Sequence, residues 1–292
     1  MNQKVIGIIG GSGLYEMQGI SNTHEAIIST PFGDPSDAYM VGEVGGVKMI
    51  FLPRHGRNHI YSPSTINYRA NIWGMKKLGV THILSVSACG SMREEIKPGE
   101  IVFIDQFFDR TRGRASTFFS DGIVGHVAFA DPICLYLREY LIRAAKELGI
   151  LHHVGGTYLC MEGPAFSTRA ESAIYRNWGV SVIGMTNLTE AKLAREAEIC
   201  YATLSLVTDY DCWRHHEEDV DINDILRIMA ENVSNAKRIM ASAALKIPVE
   251  RKCKCQNASQ FAVITKSHAI PAEMKKNLEI IMGKYWKESG NG

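Results

Sequence analysis

The sequence predicts an α/β fold: one domain built on a mixed, twisted β-sheet flanked by helices. Short β-branched runs alternate with helical segments along most of the chain. Several of these runs are apolar throughout, as strands covered on both faces are. At 292 residues, 46% of them hydrophobic, the chain carries enough apolar material for one large core. No internal repeat, low-complexity tract or linker interrupts it before residue 248. Residues 1–292 therefore read as one domain, with 248–292 an irregular segment and a C-terminal helix.

Taken in order, Val5–Gly10, Val47–Pro53, Thr81–Ala88, Glu100–Phe107, Tyr158–Glu162, Val180–Thr186 and Cys200–Thr208 read as strands. Ser62-Pro63 opens a helix that stops at Gly79. Asp131-Pro132 supplies an N-cap and a proline at the first helical position, after which Ile133, Leu137, Leu141, Ala144 and Leu148 recur at helical spacing up to Gly149. Thr168 and Glu171 are spaced as a capping box. From Asp221, the stripe Ile222, Ile225, Met229, Val233, Ala236 and Met240 marks a long amphipathic helix. Residues 246–267 read as irregular, and a last helix begins near Pro271.

Composition excludes some partners. The net charge is +1 with no long basic run, which argues against nucleic acid and anionic membrane. No apolar run approaches the ~20 residues needed to span a bilayer, and no leader segment is evident, so a cytoplasmic protein is expected. Seven cysteines at scattered positions do not form a secreted disulfide framework. Cys253 and Cys255 make a lone C-x-C, too small for a zinc site without two further ligands, and read as free thiols in a surface segment. No metal is expected.

The first strand runs into Gly10-Gly11-Ser12-Gly13, where glycine lets backbone N–H groups approach an anion. A dinucleotide fingerprint fails because Glu16 stands where its third glycine belongs. A nucleotide P-loop fails because no lysine follows. What remains is an oxyanion loop with Ser12 in its middle, or a tight turn with glycines for geometry alone. Pro53-Arg54-His55-Gly56-Arg57 and Ser87-Ala88-Cys89-Gly90-Ser91 end two further strands, and the three loops together suit one anion. Arg54 is fitted for bidentate phosphate contact. Phe166, in Glu162-Gly163-Pro164-Ala165-Phe166-Ser167, suits either the core or a stacking face for a flat ligand. The last strand ends on Asp209 and Asp211, spaced to point to one side. A surface turn or a metal pair also fits them, although His215 and His216, adjacent in sequence, do not complete a metal set.

The segments GIIGGSGLYE, TPFGDPSD, PRHGRNH, SACGSMREEIKPGEIVFIDQFFDRT, EGPAFSTRAES, GMTNLTEAKLAREAEICYA and TDYDCW, in order from residue 7 to 213, resemble those of the 5′-methylthioadenosine phosphorylases. The resemblance implies a purine nucleoside phosphorylase-like fold, a homotrimer and phosphorolysis of methylthioadenosine. Inorganic phosphate would be a co-substrate, with no cofactor. It implies that Ser12, Arg54, His55, Ser87, Ala88 and Thr186 hold phosphate and that Met185 lies along the ribose. Phe166 would flank the purine, Ser167 and Asp211 would help to fix it, and Asp209 would act as acid at the base. His126 resembles a residue that a neighbouring subunit lends to the 5′ group. Two departures bear on the site: Ser12 and Ser87 stand where threonine is usual, and Thr189 stands where proline usually precedes the glutamate, here Glu190.

Overall fold

A computed structural model describes residues 4–214 and 222–288; the side chain of Ser12 and the whole of His215 and His216 lie outside the described residues. Among the described residues, eleven strands form one sheet. They are β1 (Val5–Gly10), β2 (Ile20–Ala26), β3 (Tyr39–Val44), β4 (Val47–Pro53), β5 (His82–Ser91), β6 (Ile101–Phe103), β7 (Gln106–Arg110), β8 (His152–Val154), β9 (Thr157–Met161), β10 (Val182–Gly184) and β11 (Cys200–Asp209). The helices are α1 (Tyr68–Lys77), α2 (Leu135–Glu147), α3 (Arg169–Asn177), α4 (Asn187–Glu196), α5 (Ile222–Lys246), α6 (Ala272–Asn277) and α7 (Glu279–Glu288).

β5 is the hub. It pairs in parallel with β1 and with β11, and its last residues pair antiparallel with β10. β1 also pairs in parallel with β4, so the C-terminal ends of β1, β4, β5 and β11 reach the same edge of the sheet. That is where an α/β sheet exposes loops to a ligand. The single-domain core matches the expected class, with β1 buried at every position and β11 at all but its last.

The differences in detail have local causes. The run Glu100–Phe107 is two strands, since β6 pairs with β11 and β8 while β7 pairs with β9. Asp105 lies between them, accepting from the Gly156 N–H at 3.1 Å and the Arg138 guanidinium at 3.2 Å. α1 starts at Tyr68, not near Ser62, because Asn67 is the cap: its side chain accepts from Ala70 N–H at 3.1 Å. Ser62 instead closes its own turn with Thr65. α2 starts at Leu135, three residues beyond Pro132, because the Cys134 N–H is drawn to the Tyr201 carbonyl at 2.9 Å. The Thr168–Glu171 capping box forms as its spacing predicts.

Cys253 and Cys255 are not simple surface thiols. Cys255 is buried, Cys253 is half-buried, and Cys134 and Cys200 lie beside them, with all four Sγ atoms within 4.8 Å of one another. The C-x-C thus has the two neighbours whose absence argued against a metal. Their distance in sequence hid them.

Candidate active site

The glycine turn and the Pro53-Arg54-His55 loop are joined at their first residues, where Arg54 N–H donates to the Gly10 carbonyl at 2.8 Å. From there the Arg54 side chain turns inward. It is 3% exposed and lies edge to edge with Glu190, which is 1% exposed. Nε donates to Glu190 Oε1, and Nη2 donates to Oε2 at 3.1 Å and to Ser85 Oγ at 2.8 Å. Nη1 donates to the Val86 carbonyl at 2.9 Å. Ser85 and Tyr201 hydroxyls each donate to Glu190 Oε2 at 2.9 Å. Burial works against the guanidinium charge, but the Glu190 carboxylate outweighs it and holds Arg54 ionised.

This corrects one expectation. The bidentate edge of Arg54 is occupied by Glu190, and of its five N–H groups one on Nη1 is left for an anion. Composition could not show this, because Glu190 is 136 residues away in sequence.

His55 is half-buried. Its Nδ1 donates to the Tyr61 carbonyl at 2.8 Å, and its ring stacks on His59 with centroids 4.3 Å apart. Burial first, then the Arg54 and His59 charges, push its pKa down to about 4. At neutral pH the imidazole is therefore uncharged, with Nε2 an acceptor. Ser87 is buried, with its hydroxyl 3.2 Å from the Ala88 carbonyl and 3.3 Å from the Tyr158 hydroxyl. Ala88 is the single exposed position of the ten in β5. An exposed residue inside a strand buried everywhere else marks an opening. Thr186 stands at the N-cap position of α4, buried and without a side-chain capping bond, and its hydroxyl donates to Asn187 Oδ1 at 3.1 Å. The helix begins at Asn187 with Thr189, in place of the expected proline, within its first turn.

Asp209 ends β11 and Asp211 stands in the turn after it, so strand alternation does not relate them as their spacing suggested; both nevertheless flank Gly90. β11 has a bulge at Thr208: Val207 opposes Cys89, and Asp209, not Thr208, opposes Gly90. Gly90 lies between the acids. A methyl group there would be 3.0 Å from Asp209 Oδ1 and 3.3 Å from Asp211 Cβ. Thr208 donates to Asp209 Oδ2 at 2.7 Å, and Ser172 donates to Asp211 Oδ2. Burial, with a contribution from Asp211, pushes the Asp209 carboxyl above its ordinary value despite the Thr208 bond.

Phe166 is 83% exposed at the rim, which excludes it from the core. Ser167 is half-buried, with its hydroxyl 3.7 Å from Met161 Sδ. Met185 packs over Gly163, where any side chain would meet its sulfur. Sequence reading missed Arg114, which ties these loops together. It donates to Met185 O at 2.6 Å and Glu162 O at 2.7 Å, and pairs with Glu162 Oε2 at 3.0 Å. Nothing in the local motif around Arg114 distinguishes it from other basic residues. His126 is not brought to this cluster within the chain; it is exposed, with its N–H bonded to the Ala262 carbonyl at 2.8 Å. A surface groove of about 600 Å³ beside Trp73 and Lys276 is lined by none of these residues.

Residues 5–246 match the Phosphorylase superfamily. The chain belongs to the phosphorylase superfamily. Among relatives, this phosphorylase is 58% identical over 284 residues to the S-methyl-5′-thioadenosine phosphorylase of Geobacter sulfurreducens, covering 97% of this chain and 99% of the other. Among solved structures, it superposes with a TM-score of 0.92 on a methylthioadenosine phosphorylase from an Antarctic soil metagenomic library, at 47% identity over 96% of this chain and 99% of that one. It also resembles the Schistosoma mansoni methylthioadenosine phosphorylase crystallised with adenine, with a TM-score of 0.79 and 34% identity over 96% and 98% of the two chains. No described helix of this phosphorylase is long and apolar enough to cross a membrane.

Proposed function

We propose that this chain is a 5′-methylthioadenosine phosphorylase, releasing adenine and 5-methylthioribose 1-phosphate. The observation that carries this reading is the acid pair held across Gly90, at the strand edge where the glycine turn and the Arg54 loop meet. The names of the full-length relatives support it. Asp209, whose carboxyl burial biases toward the protonated form, donates to N7 of the leaving base while its other oxygen accepts from N6. The C1′–N9 bond breaks as the sugar gains oxocarbenium character, and phosphate attacks C1′ from the opposite face. As an anion beside the cationic sugar, phosphate also stabilises that charge.

Phosphate is held by hydroxyl and amide donors at Ser12, Ser87, Ala88 and Thr186 and by the remaining Arg54 N–H. The neutral His55 accepts, at Nε2, a hydrogen bond from the P–O–H of the monohydrogen dianion. Met185 lies along the ribose and Phe166 covers the purine, with Ser167 and Asp211 fixing its edge. No metal or organic cofactor takes part. His126 serves the 5′ group of a neighbouring subunit in a homotrimer. Exposed Val124, Phe261 and Ile264 beside it form an apolar patch suited to that contact. The free cysteines suit the reducing cytoplasm.

Adenine release from methylthioadenosine, followed with and without phosphate, tests the reaction. Equal release in its absence would make the enzyme a hydrolase. The ratio of kcat/KM for methylthioadenosine over methylthioinosine tests the base reader: it should fall in Asp209→Asn, because an amide can donate to O6. An unchanged ratio moves the reader to Asp211.

A further inference from the structure

We propose that Cys134, Cys200, Cys253 and Cys255 bind one structural Zn²⁺, a site separate from the acid pair and the phosphate loops. The four Sγ atoms lie within 4.8 Å of one another, and Cys200 and Cys253 sulfurs are 3.3 Å apart. Tetrahedral thiolates at a Zn–S distance of about 2.3 Å stand roughly 3.8 Å from one another, so the four already surround a point suited to one ion. A four-iron cluster would hold its thiolates further apart. Two disulfides would single out two pairs, whereas here all four sulfurs share one cluster and every cysteine is free.

The donors come from three places in the chain, and two are positioned without the ion. Cys134 precedes α2 with its N–H bonded to the Tyr201 carbonyl at 2.9 Å, and Cys200 opens β11 with its N–H bonded to the Thr81 carbonyl at 3.1 Å. Cys253 and Cys255 arrive on the segment after α5. That segment is docked by Arg251 on the Glu198 carbonyl at 2.7 Å and by Ser259 Oγ on the Glu196 carbonyl at 2.7 Å. Cys134, Cys200 and Cys255 are buried; Cys253 is half-buried and gives an entry path.

Two features outside the sulfurs point the same way. His82 is fully buried, is the register partner of Cys200, and has Nε2 without a hydrogen-bond partner among the described residues. Its other nitrogen lies 2.8 Å from Thr81 Oγ1. In the tautomer whose Nδ1 accepts from Thr81, Nε2–H is a buried donor lacking an acceptor, which a metal thiolate on the neighbouring strand would supply better than a neutral thiol. The sequence Arg251-Lys252-Cys253-Lys254-Cys255 also interleaves three cations with two ligands. Four thiols binding Zn²⁺ release four protons and leave a complex of charge −2, which those cations offset. The ion would fasten the segment after α5 to the starts of α2 and β11.

The test is metal and thiol analysis of the intact enzyme purified without chelator from zinc-supplemented cells. One zinc per chain is expected, released stoichiometrically by an organomercurial and read with a metallochromic dye. Cys253→Ser should lose zinc to EDTA at least tenfold faster, whereas Cys253→His, which keeps a ligand, should retain it. Zinc-free wild-type protein with seven titratable thiols after denaturation overturns the proposal. So does a mass four hydrogens short before reduction, which would mean two disulfides, or bound iron with visible thiolate absorption. The wild-type measurements decide the matter even where a variant fails to fold.

Discussion

The Arg54 guanidinium and the Glu190 carboxylate meet edge to edge in the interior, both almost wholly removed from solvent. Removing one member of such a pair leaves a buried charge without its partner, a loss of about 3–5 kcal/mol. Arg54→Ala should therefore lower the unfolding free energy by that amount in urea titration, as should Glu190→Gln, in addition to any loss of phosphate affinity. Native stability in Arg54→Ala with only a raised KM for phosphate would return the arginine to a purely ligand-binding role.

Asp209 must hold a proton to serve the leaving base. Its pKa is raised by burial and then by Asp211, so kcat/KM should fall as pH rises through that raised value. Asp211→Asn removes the like charge, lowers the Asp209 pKa and moves the alkaline limb to lower pH. A limb that stays in place in the variant would show that Asp209 is not the group titrating.

Gly90 separates the two acids by having no side chain. Gly90→Ala places a methyl against Asp209 Oδ1 and Asp211 Cβ, and should reduce kcat/KM by about 10- to 100-fold by misplacing the donor. The melting temperature, measured in parallel, should fall only modestly, because the methyl also meets Asp211 Cβ and Ile183 Cγ2, each 3.3 Å away, which must give by a few tenths of an ångström. Full activity in this variant would mean that the acid positions tolerate displacement.

Glu196 is buried, accepting from the Phe118 N–H at 2.6 Å and the Thr117 hydroxyl at 2.7 Å. Burial prevails over these bonds and pushes its pKa up to about 7. The unfolded carboxyl ionises near 4.3. Its contribution is therefore complete below that pH and is lost as pH rises through 7, by about 4 kcal/mol in all. The stability of Glu196→Gln should be flatter than wild type between pH 4.5 and 8 in chemical denaturation; parallel curves would place the titration elsewhere.

The fold class and the loops of the site were legible because they depend on local pattern. β1 and β11 announce themselves by apolar runs, and the Thr168 cap by its spacing to Glu171. β2 did not, because Ile20–Ala26 is mostly exposed and polar, with no alternation for a pattern to register. β8 is three residues long. In the site, the loop residues were found and their partners were not. Glu190 occupies Arg54, Arg114 ties Met185 to Glu162, and Cys134 and Cys200 join the C-x-C through contacts that only the folded chain creates. A rule based on neighbours in sequence has no access to them.

The extra residue at Thr208 sets the phase of everything after it in the chain. In an unbroken ladder Thr208 would oppose Gly90, and Asp209 would fall one step further on, beside Ser91, with its carboxyl on the other face of the sheet. The strand body therefore tolerates exchange of one apolar side chain for another far better than it tolerates a change in length. One inserted or deleted residue between Cys200 and Val207 would preserve the composition of β11 and still turn the acid away from the base.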